Sequence, residues 1–164
     1  MGLRNIRQVG DDILTKAAKP VANIGAGTIA LLDDMLETLR DLDGVGIAAP
    51  QVGILRRIAV VEWEDVVYEM INPAVIAKSG TQHCNEACLS VPNKQGDVER
   101  PLNVTIEALD RDGNPYTIDG EAFLASALCH EIDHLDGILY LDKATNITYR
   151  DPNDDRKKRR KKKK

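Results

Sequence analysis

The sequence lacks any long hydrophobic run. No apolar stretch approaches the roughly 20 residues that span a bilayer, and no positively charged segment followed by an apolar one marks a secretory signal. Cysteine is scarce: three in 164 residues, an odd number without the paired framework of a secreted, disulfide-rich domain. These absences argue against a membrane partner and for a reducing compartment, so we expect the protein to be cytoplasmic.

The formal net charge of −4 is unevenly distributed along the chain. From position 150 onward there are ten Lys or Arg against three Asp, a local charge of +7, which leaves −11 on the rest. The run 156–164 is entirely basic and cannot pack as a core element. We interpret residues 1–149 as a single domain, long enough to bury about two thirds of its unfolded surface, and residues 150–164 as a basic, disordered tail.

Two interpretations of this tail stay open. It is either a solvated, solubilising segment or an RNA-binding arm, because clustered cations attract phosphates without sequence preference. No residue in the tail supplies a specificity determinant, and we expect no DNA partner.

Two of the three histidines, His130 and His134, flank Glu131 in the run Cys129-His-Glu-Ile-Asp-His134. On a helix, residues four apart share a face, so both imidazoles can reach one metal ion. Glu131 projects beside the same ion, where it can exchange a proton with a metal-bound water. The alternative is a surface turn that carries two histidines by chance. The apolar run 122–129 favours a buried helix, in which a protonatable cluster needs a function.

A catalytic divalent metal usually takes three protein ligands, so the sequence must supply a third. The remaining candidate donors, besides several carboxylates, are His83, Cys84, Cys88 and Cys129. Cys88 stands out because a small residue precedes it and a Pro-terminated apolar segment follows, which indicates a backbone bending around a site. Cys129 points about 100° away from His130 on a helix, so we expect it in the core.

Three motifs occur in order along the chain: Gly44-Val-Gly-Ile-Ala-Ala-Pro-Gln51, Glu86-Ala-Cys-Leu-Ser90 and His130-Glu-Ile-Asp-His134. Together they resemble the signature motifs of the peptide deformylases, and the similarity extends over roughly residues 3–143. The resemblance implies a monomeric enzyme that uses metal-activated water to remove the formyl group from the N-terminal formyl-Met of newly made polypeptides. Residues 1–149 are then the catalytic domain, and the RNA contacted by the tail would be ribosomal.

The resemblance also assigns roles to individual residues. Cys88, His130 and His134 are the metal ligands. They bind iron(II) as the physiological metal, and zinc and nickel suit the same donors. Glu131 is the general acid/base. Gln51 and the Leu89 backbone N–H are the oxyanion-hole donors. The residues that contact the substrate are Val45, Gly46 and Ala87.

Ala87 departs from the family, which usually has glycine there, and its methyl group narrows the cleft or restricts the backbone. A softer departure is Gln95, where many relatives carry arginine. In the resembling enzymes the acidic residue at position 86 pairs with a downstream arginine, for which Arg100 is suitably placed. Asp133 either accepts a hydrogen bond behind the metal or faces solvent. The candidates for a pocket that binds the methionine side chain are Val45, Phe123, Ser126 and Ala127. For Phe123, packing in the core is the alternative.

Apolar residues at helical spacing predict a helix over 28–42, with Thr28 as its N-cap and Gly44 beyond its end. Stretches rich in apolar and β-branched residues predict strands over 57–61, 66–71, 104–109 and 116–118, with a hairpin turn at Asp112-Gly113. The fold class is therefore α+β, with mostly antiparallel β-sheets wrapped around a central helix that carries the His130–His134 motif.

Two other function classes compete with a deformylase. A metallopeptidase of the His-Glu-x-x-His type normally adds a His or Glu third ligand, and the segment around Cys88 argues against it. An RNA-binding protein with a structural zinc site needs four protein ligands and no exchangeable water.

Overall fold

The computed structural model describes residues 2–149, and the basic tail at 150–164 lies outside the described residues. The described residues contain two α-helices: α1, Ala26–Asp41, and α2, Phe123–Leu135. The strands are β1 Gly46–Ala48, β2 Ile58–Trp63, β3 Val66–Ser79, β4 Gln82–Cys88, β5 Val91–Arg100, β6 Asn103–Leu109, β7 Pro115–Glu121 and β8 Thr145–Tyr149. Short 3-10 helices lie at Asp12–Thr15, Ala49–Val52 and Tyr140–Asp142.

The strands form two antiparallel sheets. The larger has the order β1-β2-β3-β6-β7 and the smaller the order β4-β5-β8. The predicted hairpin joins β6 to β7, where the Gly113 N–H donates to the carbonyl of Asp110 and Gly113 adopts a φ of +83° that suits glycine. The α+β class with mostly antiparallel sheets is confirmed, and all four predicted strands are present.

Strand β2 is covered on both faces, which explains its continuous apolar sequence. Side chains alternate across a strand, so Ala59 and Val61 pack with residues of α2, whereas Ile58 and Val60 pack with residues of α1. Each fully buried Val or Ile side chain contributes about 1.5–3 kcal/mol from the removal of apolar surface from water. Helix α2 contacts strands of both sheets.

Helix α1 begins two residues earlier than the spacing predicts, and the predicted N-cap is wrong. Gly25 occupies the N-cap without a side-chain hydrogen bond, while Thr28 is buried inside the helix. The apolar stripe that includes Leu32 and Met35 packs against β1 and β2, so core burial rather than a hydroxyl cap determines where this helix starts. Beyond its end, the Gly44 N–H donates to the Leu39 carbonyl, as expected for a helix stop.

The smaller sheet has its own limited core, in which Val91 and Val98 of β5 pack against Tyr140. Within the described residues, neither helix combines the length and apolar character required to cross a bilayer.

Candidate active site

Cys88 is the last residue of β4, beyond a register shift that separates it from Glu86 in the pairing with β5. Such a bulge re-aims a side chain. The Cys88 sulfur accepts a hydrogen bond from the Ser90 backbone N–H at 3.4 Å. The polar strand β4 therefore ends by presenting a thiol whose electron density is already stabilised by a backbone donor.

Helix α2 presents both histidines to this thiol. Cys88 Sγ lies 3.3 Å from His134 Nε2, and one ligand atom each from Cys88, His130 and His134 lies within 4.8 Å of the others. Among residues 2–149, this is the one group of at least three such donors. Cys129 is buried in the core as expected, while His83 is exposed and Cys84 half-buried on β4.

His130 is oriented from behind by Glu86. The Nδ1 of His130 lies 2.8 Å from Glu86 Oε1, which leaves Nε2 for the thiol side. Arg100 forms a two-pronged ion pair with the same carboxylate, at 2.8 and 2.9 Å, so the expected Glu86–Arg100 pair is present. Burial opposes ionisation of Glu86, but hydrogen bonds from Arg100 and His130 outweigh it and lower its pKa to about 2.

Glu131 is buried beside the histidines, and its Oε1 lies 3.9 Å from His130 Nε2. Its Oε2 has no hydrogen-bond partner among the described protein groups. Burial is the largest influence on Glu131, offset in part by His130, and it raises the pKa to about 7. A carboxyl group with this pKa can both accept and release a proton near neutral pH.

Gly46 allows Glu131 to occupy this position. A Cβ at Gly46 would lie 2.7 Å from Glu131 Cγ and 2.9 Å from its Cδ, closer than carbon atoms normally approach. The resemblance predicted that Gly46 contacts the substrate, and the structure adds that the lack of a side chain there leaves room for Glu131.

Gln51, in the 3-10 helix Ala49–Val52, is buried with its amide fixed in orientation. Its Oε1 accepts from the Ala48 N–H at 2.9 Å, so Nε2 must face the other way. That nitrogen donates to Ser90 Oγ at 3.1 Å and lies 3.6 Å from Cys88 Sγ. The amide N–H groups of Gln51 are thus aimed at the cysteine, whereas a residue merely closing the loop after Pro50 would not need this orientation.

The other predicted substrate residues lie around this centre. Val45 immediately precedes β1, Ala87 is exposed beside Cys88, and Leu89 follows Cys88 in the turn between β4 and β5. In the proposed methionine pocket, Val45 and Ala127 are half-buried, and the Ser126 hydroxyl is used within the helix, donating to a carbonyl oxygen. Phe123 is 47% exposed and packs against Trp63, with ring centroids 4.4 Å apart and the ring planes tilted by 38°.

The charges at this centre favour a cation. Burial lowers the pKa of His130, but its interactions with Cys88 and Glu86 more than offset this effect and raise the pKa to about 10. Burial lowers the pKa of His134 well below its usual value. A positive charge between Cys88 and Glu86 is therefore stabilised, and a metal cation would replace the proton there, because an imidazole binds a metal in its neutral form.

The sequence analysis missed Ser90 as a partner of Gln51. Its place at the end of the second motif was the one signal from which this contact could have been predicted. It left the orientation of Asp133 open. In the structure Asp133 Oδ2 accepts from Arg100 Nη1 at 2.6 Å, and Oδ1 accepts from Lys143 Nζ at 3.4 Å. Lys143 carries no sequence signal of this contact, because it lies outside all three motifs.

The fold and this centre together are those of an α+β hydrolase. A family model described as polypeptide deformylase matches residues 3–150. The chain belongs to the polypeptide deformylase family, as its three motifs indicated, and membership implies an enzyme that removes an N-terminal formyl group.

Relatives agree with this assignment. The chain is 50% identical over 143 residues to a peptide deformylase of Acetivibrio thermocellus, covering 87% of this chain and 84% of the relative. It is 46% identical over 155 residues to one of Agathobacter rectalis, covering 92% and 98% respectively. A solved peptide deformylase of Legionella pneumophila superposes with a TM-score of 0.85 at 39% identity, covering 88% of this chain and 87% of that one.

Proposed function

We propose that residues 1–149 form a single, monomeric catalytic domain that hydrolyses the formyl group from the N-terminal formyl-Met of nascent polypeptides, with a divalent metal and with Glu131 as general acid/base. The observation that carries the proposal is the convergence of Cys88, His130 and His134 within 4.8 Å, beside a buried carboxyl group with a pKa of about 7.

The donor set suits one metal ion. Cys88, His130 and His134 would hold it, and a thiolate with two imidazoles suits iron(II), nickel or zinc; we propose iron(II) as the physiological choice. When bound, the metal supplies a Lewis acid that lowers the pKa of water to about 7.

Glu131 moves the protons. Its unpartnered Oε2 and its pKa near neutrality suit a group that takes a proton from water and gives it to the departing amine. Such general acid–base catalysis typically contributes about 10²–10⁴-fold. Because the carboxyl group is buried, it exchanges its proton with the reacting atoms rather than with bulk solvent.

Gln51 and Leu89 stabilise the oxyanion of the tetrahedral intermediate. The Gln51 Nε2 group is directed by the Ala48 N–H bond on the opposite side of the amide, and it costs no reorganisation during the reaction. The Leu89 backbone N–H lies in the turn that follows Cys88. Removal of one such donor typically costs about 10²–10³ in rate.

The substrate backbone would lie along strand edges. In the described sheets, β1 and β4 are both edge strands; β1 begins next to the centre, at Gly46, and β4 ends next to it, just after Ala87. An extended peptide can pair with such an edge through its main chain. Val45, Gly46 and Ala87 are therefore the proposed substrate contacts, with the Ala87 methyl group narrowing the cleft on its side.

The test is a metal-replete assay on a formyl-Met peptide, with the unformylated peptide as its control substrate. Glu131→Gln should keep the metal and lose nearly all turnover. Cys88→Ala should lose the metal, while the matched variants Cys84→Ala and Cys129→Ala should keep it. Cleavage of the unformylated peptide bond would indicate a metallopeptidase instead, and metal loss in Cys84→Ala would make Cys88 the wrong ligand.

The tail at 150–164 is proposed to contact the ribosome where nascent chains emerge. Its local charge of +7 gives it one strong physical capability, which is attraction to phosphates. Binding through the tail would raise the local concentration of formylated chains without altering the catalytic centre.

A further inference from the structure

We propose that Asp133 is a positioning residue for the metal ligand His130, acting through Arg100 and Glu86, and that Lys143 supports it from the surface. The inference rests on the proposed metal site and deepens it. It concerns residues that neither bind the metal nor contact the substrate.

The contacts form one continuous chain from the surface to the ligand. Lys143 Nζ donates to Asp133 Oδ1 at 3.4 Å and lies 3.2 Å from Oδ2, the oxygen that accepts from Arg100 Nη1 at 2.6 Å. Arg100 Nη2 and Nε bind the two oxygens of Glu86. Glu86 Oε1 in turn lies 2.8 Å from Nδ1 of His130.

Burial increases along this chain, which makes its inner part rigid. The side chain of Lys143 is 43% exposed, that of Asp133 15% and that of Arg100 2%. A buried guanidinium needs all its charge satisfied. Glu86 binds two of the Arg100 nitrogens, and Asp133 binds the third. The contact to Asp133 therefore keeps the guanidinium plane from rotating, and the Glu86 carboxylate bound to it keeps its position.

His130 depends on this support more than His134 does. The outer nitrogen of His134, Nδ1, has no hydrogen-bond partner among the described residues, so only His130 has its ring fixed by a protein acceptor. Hydrogen bonds behind a metal ligand set the ring orientation and its tautomer, and their loss typically costs about 10–100-fold in metal affinity. Looser support at Asp133 should therefore appear first as faster metal release.

Asp136 provides a matched control for charge. It lies three residues beyond Asp133 at the end of the same helix, and its carboxylate binds Arg57 at 2.8 Å. Asp136→Asn and Asp133→Asn each remove one negative charge near the same metal. Only Asp133→Asn disturbs the contact to Arg100.

The experiment uses the full-length protein loaded with cobalt(II), and it measures both the release rate into excess chelator and the visible absorption spectrum. Asp133→Asn should release cobalt about 10-fold faster than wild type and change the spectrum, because the geometry at His130 changes. Asp136→Asn should leave both close to wild type. Equal release rates and unchanged spectra in the two variants would overturn the proposal.

Lys143→Met tests the outer end and remains informative if Asp133→Asn does not fold. Removal of a positive charge should strengthen the binding of a cation, so charge alone predicts slower release. Lost support predicts faster release. Slower or unchanged release would overturn the role of Lys143. Failure of the wild type to bind cobalt one to one, or its retention in Cys88→Ala, would instead refute the metal site itself.

Discussion

Substitution of Gly46 by alanine should separate metal binding from catalysis. The added Cβ would lie 2.7 Å from Glu131 Cγ, 2.9 Å from Cδ and 3.1 Å from Oε1. Carbon atoms normally rest about 3.5–4.0 Å apart, so the two groups must separate by about 1 Å. Helix α2 is packed against the core, and therefore the flexible end of Glu131 should move.

The expected cost follows from this displacement. A misplacement of about 1 Å in a reacting group can reduce the rate by about 10²-fold, equivalent to about 2.7 kcal/mol of activation free energy. Overpacking should also lower the free energy of unfolding by about 1–3 kcal/mol. Metal content should not change, because none of the three nearest atoms to the added Cβ belongs to Cys88, His130 or His134.

The assay measures kcat/KM on a formyl-Met peptide together with bound metal per chain. Gly27→Ala is the control, since nothing lies within 4 Å of a Cβ added there, and it should leave both quantities unchanged. Activity of Gly46→Ala close to wild type would refute the steric argument. A loss of activity in proportion to lost metal would show that Gly46 supports the ligands rather than Glu131.

Three further outcomes are expected. Ala122→Gly should raise the free energy of unfolding by about 1–3 kcal/mol in chemical denaturation, because Ala122 has φ 54° and ψ −121°, a conformation that strains any residue with a Cβ. Glu86, whose buried carboxylate Arg100 holds ionised, has a folded pKa of about 2, below its unfolded value. Its protonation should therefore account for about 3 kcal/mol of the stability that the metal-free protein loses as the pH falls from about 4.5 to about 2. In an acid titration, Glu86→Gln should remove this share of the loss, while the share due to other ion-paired carboxylates such as Asp34 stays. Deletion of residues 156–164 should leave hydrolysis of a short formylated peptide unchanged and weaken cosedimentation with ribosomes. The difference between the full-length and truncated proteins should disappear at high salt. Equal, salt-insensitive ribosome binding by both forms would leave the tail without this role.

Strands with strongly apolar sequences could be predicted, and strands without them could not. The pattern around Ile58–Val61 predicts β2 because both of its faces are buried. Strand β5 contains proline, asparagine and glycine, residues depleted in strands, and β8 is exposed along its whole length. Strand β5 pairs with β4 across a two-residue turn and with the distant β8, and neither pairing leaves a local apolar periodicity to detect.

The motifs of the centre could be found in sequence because the chemistry restricts residue type and spacing. The supporting contacts could not. The bond between Asp133 and Arg100 joins residues 33 positions apart, and either side chain alone is compatible with a solvated surface. Likewise, a glycine at position 46 indicates only backbone freedom in the sequence. Its proximity to Glu131 results from the packing of α2 against β1.

The three motifs form a closed set of contacts, which explains why they occur together. The first meets the third where Gly46 accommodates Glu131, and the second meets the third where Cys88 Sγ lies 3.3 Å from His134 Nε2. The first meets the second where Gln51 Nε2 reaches Ser90 Oγ. Groups in mutual contact do not contribute additively. A change in one motif therefore alters the orientation of groups supplied by the other two, so the centre is best understood as one unit built from three distant segments.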